Sequence, residues 1–192
     1  MKNTKEKADE YFAKVTKTLG SMDRKSIESA AEILMEAYEK GNTIYVFGNG
    51  GSAANASHFC GDLVKGASYG REKRFKAVCL NDNLPALMAI ANDISYSDIF
   101  IEQLKNFAQK GDIAVGISGS GNSPNVVKAM EYAKTMGLKT IALCGFDGGK
   151  IKKISDVSLH AQINDMEVSE DAHMILIHCI KNILIDALDG KD

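Results

Sequence analysis

The sequence has 192 residues, enough for one sizeable α/β domain and too few for two. Apolar residues make up 45% of it and charged residues 25%, as is usual for proteins with a packed core. A formal net charge of −2, without a basic stripe, argues against a nucleic-acid partner, because clustered Lys and Arg would have to supply the phosphate contacts.

No stretch of the sequence reaches the roughly 18 to 20 apolar residues that a bilayer span requires, and the first residues carry charges instead of a signal peptide's apolar run. The cysteines lack the spacing of a zinc ribbon or a disulfide framework, which favours buried thiols in a reducing compartment. They are Cys60, Cys79, Cys144 and Cys179. We therefore expect a cytoplasmic protein with no membrane partner.

Two amphipathic helices are predicted before the first strand. Apolar residues recur at helical spacing between Lys5 and Leu19, and Gly41 is expected to end the second helix. That second helix carries its apolar face on Ile27, Ala30, Ala31, Leu34 and Tyr38. We expect one domain over residues 1–192, with residues 1–41 as its helical extension.

Strands and helices then alternate along the chain. The predicted strands are 43–48, 76–80, 112–118, 139–145 and 157–161. The predicted helices are 52–64, 84–91, 98–109, 124–136 and 168–188. Continuous apolarity in the strands predicts a five-stranded parallel sheet buried on both faces, in a three-layer αβα, flavodoxin-like fold. The last helix is apolar nearly all round from Met174 to Ile180, which predicts burial in a subunit interface or between layers.

The first strand runs into a glycine-rich loop, Gly48-Asn49-Gly50-Gly51-Ser52, ahead of a helix. Glycines allow close backbone approach to an anion, and free amides at a helix N-terminus favour negative charge. A purely structural turn explains this loop equally well by itself. Gly48, Gly50 and Ala53 also mimic the spacing of a dinucleotide fingerprint.

The third strand ends in a second such loop, from Gly116 to Ser123, and Pro124 then stands at the first position of a helix. Ser123 is expected to cap that helix, which leaves the hydroxyls of Ser118 and Ser120 for a ligand. A dinucleotide fold needs no second Gly/Ser loop, and the acidic residue expected about 20 positions after the first loop is missing. The two loops therefore favour a small phosphorylated ligand and no nucleotide cofactor.

Two pairs of polar residues lie on predicted helices. His58 and Asp62 are four residues apart and share a face, and Glu170 and His178 are eight apart, two turns along the last helix. Such pairs can build a metal site or an acid–base pair, although each residue alone is as readily a surface or capping residue. His178 has apolar neighbours in sequence, so it needs a partner to offset its desolvation.

These motifs resemble those of the SIS (sugar isomerase) domain phosphoheptose isomerases. The resemblance covers about Gly41 to Leu188 and runs through GNGGSA, HF, AND, GISGSGNSPNV and a late helix with two histidines. It implies a SIS fold and a homotetramer with its sites at subunit interfaces. It also implies aldose–ketose isomerisation of sedoheptulose 7-phosphate to D-glycero-D-manno-heptose 7-phosphate through an enediol.

The resemblance implies roles for individual residues. Asp62 and His178 would share the proton transfers, and zinc would bind where some family members hold it, in sites built from more than one subunit. Those metal positions match His58, Asp62, Glu170 and His178. The substrate-binding residues would be Asn49, Gly50, Gly51, Ser52, Asp93, Ser118, Gly119, Ser120, Ser123 and Glu170. Of these, Ser118, Ser120 and Ser123 would hold the phosphate.

Four positions depart from the family pattern. Asp62 stands for a glutamate, Glu170 for a glutamine, Gly66 for an arginine and Gly119 for a threonine. Glu170 makes the site more anionic, which favours a divalent cation. Gly66 leaves open an isomerase for another sugar phosphate.

A further alternative is a SIS module without chemistry that binds a sugar phosphate or another protein, as a branch associated with a replication initiator does. Such a module has no need of His178 together with Glu170 and Asp62, so their presence favours the isomerase. His173 is expected to be structural or to lie behind the site, and His160 to be an ordinary core or surface histidine.

Overall fold

Five parallel strands form one sheet in the computed structural model, which describes residues 3–190. The strands are β1 Thr43–Gly48, β2 Lys76–Cys79, β3 Ile113–Ser118, β4 Lys139–Cys144 and β5 Val157–His160. The helices are α1 Thr4–Gly20, α2 Arg24–Lys40, α3 Gly51–Gly61, α4 Leu84–Asp93, α5 Ile101–Phe107, α6 Pro124–Thr135, α7 Gly149–Ile154 and α8 Met166–Leu188. A π-helical turn, Asp62–Gly66, continues α3, and a 3₁₀ turn, Tyr96–Asp98, precedes α5.

The strand order is β2-β1-β3-β4-β5, and every neighbouring pair is parallel. The chain moves from β1 outward to β2 and then returns to the other side of β1 to form β3. In sheets of this kind, ligands bind beyond the carboxyl ends of the two strands at which the order reverses. Those strands are β1 and β3, and the two loops singled out in the sequence follow them directly.

Helices cover both faces of the sheet. Side chains of α2, α3 and α8 pack on one face around Leu34, Phe59 and Ile177. Side chains of α5, α6 and α7 pack on the other, where Phe47 and Phe100 meet with ring centroids 5.2 Å apart. The predicted three-layer αβα fold with a five-stranded parallel sheet is therefore confirmed.

The N-terminal helices pack on the same core. Asp23 caps α2 by accepting a hydrogen bond from the Lys25 amide, and Gly41 ends the helix with φ +70°, as expected. Tyr11 of α1 donates a hydrogen bond to Asp171 of α8 over 2.7 Å. The extension is thus tied to the start of the last helix.

Helix α8 has two apolar faces. Val168, Ala172, Ile177 and Leu184 are buried in the core, whereas Ile175 and Ile183 are 42% and 39% exposed. The exposed face borders a groove of about 770 Å³ lined by Leu19, Met22, Ile27, Met35, Ile175 and Ile183, among others. Helix α8 therefore belongs to the layer of helices on one face of the sheet and also presents an apolar outer surface.

Three local expectations need correction. Helix α7 is absent from the prediction, because its six residues are too few to show a helical period. Ser123 makes no capping hydrogen bond through its side chain. Cys179 is exposed, whereas the other three cysteines are buried. Within residues 3–190, no helix combines the length and apolarity needed to span a membrane.

Candidate active site

The loop after β1 is held open by glycine and by an asparagine clamp. Gly50 has φ +56° and ψ −124°, a conformation that suits glycine, and α3 begins at the next residue. Asn81 accepts a hydrogen bond from the Gly48 amide over 3.2 Å and donates one to the Gly48 carbonyl over 2.9 Å. The end of β1 is therefore fixed where the free amides of α3 begin.

The loop after β3 is braced by the turn that follows β4. The Gly145 amide donates to the Gly119 carbonyl over 2.7 Å, and the Ile151 amide donates to the Gly121 carbonyl over 3.1 Å. Ser118 and Ser123 lie with their hydroxyl oxygens 3.0 Å apart. The Ser123 hydroxyl, which was expected to cap α6, is therefore turned toward Ser118.

The two loops enclose one cavity of about 250 Å³, which we call the cradle. It is lined by Asn49, Gly50, Gly51, Ser52, Ser118, Gly119, Ser120, Ser123, Met166 and Glu170. Nine of these were named from the sequence as substrate-binding residues. The exception is Met166, whose sulfur packs against Gly119, where an added Cβ would lie 2.4 Å from it. Asp93, at the end of α4, does not line the cradle.

The carboxylate of Glu170 occupies the start of α3. An added Cβ at Gly51 would lie 2.2 Å from Glu170 Oε2, and the Ser52 amide hydrogen-bonds the carboxylate. Burial raises the pKa of Glu170, Glu167 and Asp171 raise it further, and the Ser52 amide opposes them. The N-terminus of α3, a candidate binding site for a ligand anion, is thus partly occupied by the Glu170 carboxylate of the same chain.

A second group of polar side chains, the His/Asp cluster, forms where α3 meets α8. The Nε2 atoms of His58 and His178 are 2.8 Å apart, and Asp62 Oδ2 lies 3.6 Å from the first and 3.8 Å from the second. Asp62 Oδ2 is buried, yet it accepts no hydrogen bond from any residue that the structure describes. One ligand atom from each of the three residues fits within 4.8 Å of the others.

Glu170 is not part of this cluster within one chain. Eight residues of α-helix rise about 12 Å, so Glu170 and His178 sit at different levels of α8. Its predicted role as a fourth ligand therefore stays a prediction. The cluster has the composition of a metal site, since two imidazoles and a carboxylate face one point. Without a metal, the same groups can exchange protons.

The π-helical turn sets the direction of Asp62. It begins at Asp62, whose carbonyl accepts a hydrogen bond from the Ala67 amide over 2.8 Å. Isolated π turns of this kind are frequent at functional sites. Gly66 closes the turn, and an added Cβ there would lie 3.3 Å from Lys181 Cδ and 3.7 Å from Asp62 Oδ1. The missing side chain at Gly66 therefore makes room for the stem of Lys181 beside Asp62.

Two further histidines lie outside the cluster. His173 is fully buried, and neither ring nitrogen has a hydrogen-bond partner of good geometry among residues 3–190. Burial lowers the pKa of His173 to about 4, the Cys144 backbone near the ring opposes this, and the charge of His160 adds to it. His160 lies 3.0 Å from both Lys152 Nζ and the Phe146 carbonyl, so it has the partners that the sequence did not reveal.

The arrangement combines groups that can hold an anion with groups that can exchange protons. Hydroxyls, glycine amides and a helix start surround the cradle, which suits a phosphate. The His/Asp cluster lies farther along α3 and α8, where the His58 and His178 side chains are each 47% exposed. A phosphorylated small molecule that needs proton transfer at a carbon or an oxygen would use both.

Comparison with known proteins shows the family of the chain. The sequence model of the SIS domain family matches residues 10–145. The chain is 42% identical over 160 residues to a phosphoheptose isomerase of Citrifermentans bemidjiense, covering 83% of this chain and 82% of that protein. It is 39% identical over 180 residues to that of Aliarcobacter butzleri, covering 93% and 92%.

A solved structure gives the same result. The phosphoheptose isomerase GmhA from Neisseria gonorrhoeae superposes with a TM-score of 0.87 at 31% identity, covering 94% of this chain and 97% of that one. Sequence and fold therefore agree over nearly the whole length of both proteins. The chain belongs to the SIS domain family and, within it, to the phosphoheptose isomerases.

Proposed function

We propose that the protein is an aldose–ketose isomerase that converts sedoheptulose 7-phosphate to D-glycero-D-manno-heptose 7-phosphate. The observation that carries the proposal is the convergence of Asp62 and His178, 116 positions apart in sequence, in a chain whose β1 and β3 loops form a cradle. Relatives about 40% identical over most of the chain are named phosphoheptose isomerases.

The cradle is the proposed phosphate site. Ser118, Ser120 and Ser123 present hydroxyls there, and the Met166 sulfur packs against Gly119 beside them. Pockets that enclose most of a small ligand have volumes of roughly 300 Å³ or more. The cradle, at about 250 Å³, is smaller and therefore suits a phosphate with only part of the sugar. The rest of the sugar would then extend from Asn49 and Ser52 toward Asp93, as the resemblance implies.

The chemistry requires two proton movements. A base takes a proton from C1 of the ketose and returns one to C2, and an acid protonates the oxygen on C2 while the C1 hydroxyl loses its proton. We assign these transfers to Asp62 and His178 together. Both are suited to the task, since a carboxylate accepts protons and an imidazole both gives and accepts them near neutral pH.

A bound zinc ion fits the His/Asp cluster. Asp62 Oδ2 is buried without a hydrogen-bond partner in the described chain, and His58 and His178 point their Nε2 atoms at each other. Two imidazoles and a carboxylate are ligand types that zinc takes, and a bound zinc ion would polarise the substrate oxygens. Glu170 of another copy would be the fourth ligand, because Glu170 of the same chain lies at the cradle.

We further propose a cytoplasmic homotetramer whose sites form between copies. Both imidazoles of the cluster are half exposed, and the groove of about 770 Å³ along α2 and α8 offers another copy an apolar surface. The cradle of one chain would then work with the His/Asp cluster of another.

The test follows purified protein with sedoheptulose 7-phosphate by proton NMR in D₂O, with added zinc and with a chelator in parallel. We expect an aldoheptose 7-phosphate that carries solvent deuterium at C2, because the transferred proton passes through an exchangeable side chain. Loss of conversion under the chelator would establish the metal's part. No conversion by folded protein in either tube would contradict the proposed reaction.

A further inference from the structure

The carboxamide of Asn49, at the edge of the cradle, lies between two other side chains. Its Nδ2 donates to Asn125 Oδ1 over 2.9 Å, and its Oδ1 accepts from Asn125 Nδ2 over 2.9 Å. Its Oδ1 also accepts from the Tyr96 hydroxyl over 3.0 Å. The carboxamides of Asn49 and Asn125 are thus joined by two hydrogen bonds, and the Tyr96 hydroxyl adds a third to the Asn49 oxygen.

The backbone of α6 decides which way this pair faces. The Val126 amide donates to Asn125 Oδ1 over 2.9 Å, and an amide nitrogen could not accept that bond. Asn125 is 1% exposed, so no water can replace the interaction. The oxygen of Asn125 is therefore fixed toward Val126, and the Asn49 amide must face it with nitrogen opposite oxygen.

The hydrogen bonds that remain to Asn49 can then be counted. A carboxamide has two N–H donors and two acceptor sites on its oxygen. Asn125 and Tyr96 fill both acceptor sites, and Asn125 takes one donor. One N–H is left for the cavity that Asn49 lines, so Asn49 offers a ligand a donor and not an acceptor.

A contact with α6 also positions the 3₁₀ turn that carries Tyr96. Its 3₁₀ turn is capped by Ser95, which accepts from the Ser97 amide over 2.9 Å, and is anchored where Asp98 pairs with Lys128 of α6. The ring borders a second cavity of about 220 Å³ that shares Asn49 and Gly50 with the cradle. Helix α6 therefore positions both partners of Asn49.

We propose that Asn125 and Tyr96 are positioning residues that orient the Asn49 carboxamide, so that its free N–H donates to an acceptor oxygen on the sugar part of the bound sugar phosphate. The proposal rests on the proposed function, since it states how that site binds the sugar part of its ligand. Neither residue touches the reacting atoms; each acts through Asn49.

Kinetics of matched variants test the proposal. Tyr96→Phe removes one donor to Asn49 and keeps the ring. Asn125→Asp keeps the acceptor for Val126 and removes the donor to Asn49, and its carboxylate stands at the second residue of α6, where a helix favours negative charge. Tyr132→Phe, farther along α6, is the control.

We expect KM for sedoheptulose 7-phosphate to rise about threefold to tenfold in Tyr96→Phe and at least about tenfold in Asn125→Asp, with kcat within about twofold of wild type. The Kd for inorganic phosphate and the thermal midpoint should stay near wild type in Tyr96→Phe. Wild-type KM in both variants would overturn the proposal. So would a loss of phosphate affinity in Tyr96→Phe in proportion to its loss of sugar-phosphate affinity, which would indicate general damage.

A second readout needs no turnover. In ¹⁵N-asparagine-labelled protein, the side-chain signals of Asn49 are assigned by their loss in Asn49→Ala. We expect the separation of its two proton signals to shrink in Tyr96→Phe and Asn125→Asp and to persist in Tyr132→Phe. Unchanged signals in the first two variants would overturn the proposal even in a protein that does not turn over sedoheptulose 7-phosphate, whereas that inactivity alone would count against the proposed reaction.

Discussion

The cradle and the His/Asp cluster are built in different ways from the same helix. Near its start, α8 brings Met166 and Glu170 against loops that backbone hydrogen bonds already hold. Two turns beyond Glu170, it brings His178 against His58 and Asp62 of α3, where a buried carboxylate oxygen is left without a hydrogen bond from the described chain. The loops of the cradle are held by hydrogen bonds within one chain, whereas the buried Asp62 oxygen of the cluster finds no hydrogen-bond donor in the described chain.

The difference indicates which region needs something from outside. Loops at strand ends are positioned by the sheet, so the cradle is preorganised for an anion before one binds. The cluster depends on contact between two helices and leaves an acceptor unpaired, which costs free energy until a cation or a proton reaches it. We therefore expect the cradle to bind phosphate by itself, and the cluster to need a metal ion or another copy to work.

The largest expected effect is on kcat and not on phosphate binding. Asp62→Asn and His178→Ala should each lower kcat about 100-fold to 10,000-fold, because each removes a group to which the proposed mechanism assigns proton transfer. The Kd for inorganic phosphate, measured by calorimetry, should stay near wild type. Asp186→Asn, on the exposed side of α8, is the control. Wild-type rates in either cluster variant would remove that residue from the mechanism.

The buried His173 should make the free energy of unfolding fall as the pH is lowered. Its folded pKa of about 4 lies below the ordinary value of 6.5, so the unfolded chain binds the proton first. The stability from neutral His173 is fully present above pH 6.5 and is lost as the pH falls to 4, by about 3 kcal/mol. His173→Leu should lack this loss in urea unfolding at fixed protein concentration, and equal pH slopes in both proteins would refute it.

The paired serines should show that the cradle acts as a unit. Ser118→Ala and Ser123→Ala should each weaken inorganic phosphate binding about tenfold, because each removes a hydrogen bond to a charged group. Since their hydroxyls contact each other, the double variant should lose less than the two single losses combined. Ser26→Ala on α2 is the control. Full additivity would mean that the two hydroxyls act independently.

The smallest expected effect concerns Glu170. Its carboxylate lines the cradle and repels a phosphate there, so Glu170→Gln should tighten inorganic phosphate binding about threefold at low ionic strength. The gain should shrink as salt is added, because screening weakens the repulsion. Weaker binding in the variant would show that the carboxylate supports the ligand instead.

Much of the cradle could be predicted from the sequence, because its residues follow β1 and β3 directly and the carboxyl ends of parallel strands meet at one edge. The conformations of Gly50 and Pro124 also follow from the residue types, because glycine tolerates a positive φ and the proline ring fixes φ near the helical value. The contact of Ser123 with Ser118 could not be predicted in the same way. A hydroxyl at a helix start is expected to cap it, and only the position of β3 shows the competing partner.

The remaining features depend on contacts between distant segments. The π turn at Asp62 has no periodic pattern, although the flanking Gly61 and Gly66 are a signal of irregular helix. Met166 reaches the cradle because Gly119 leaves space for its sulfur. Glu170 shares a helix with His178, and the rise of that helix within one chain places Glu170 at the cradle, where the resemblance also expected it.

The most direct test of the account asks whether the cradle of one copy works with the cluster of another. Ser118→Asp, which places a carboxylate in the cradle, and Asp62→Asn should each be nearly inactive alone. The two are co-expressed with different tags, and oligomers that carry both tags are purified. Recovered isomerase activity in these hybrids is the predicted result, since some sites then combine an intact cradle with an intact cluster. Hybrids as inactive as their parents would contradict the account, and would place both groups of one site in a single chain.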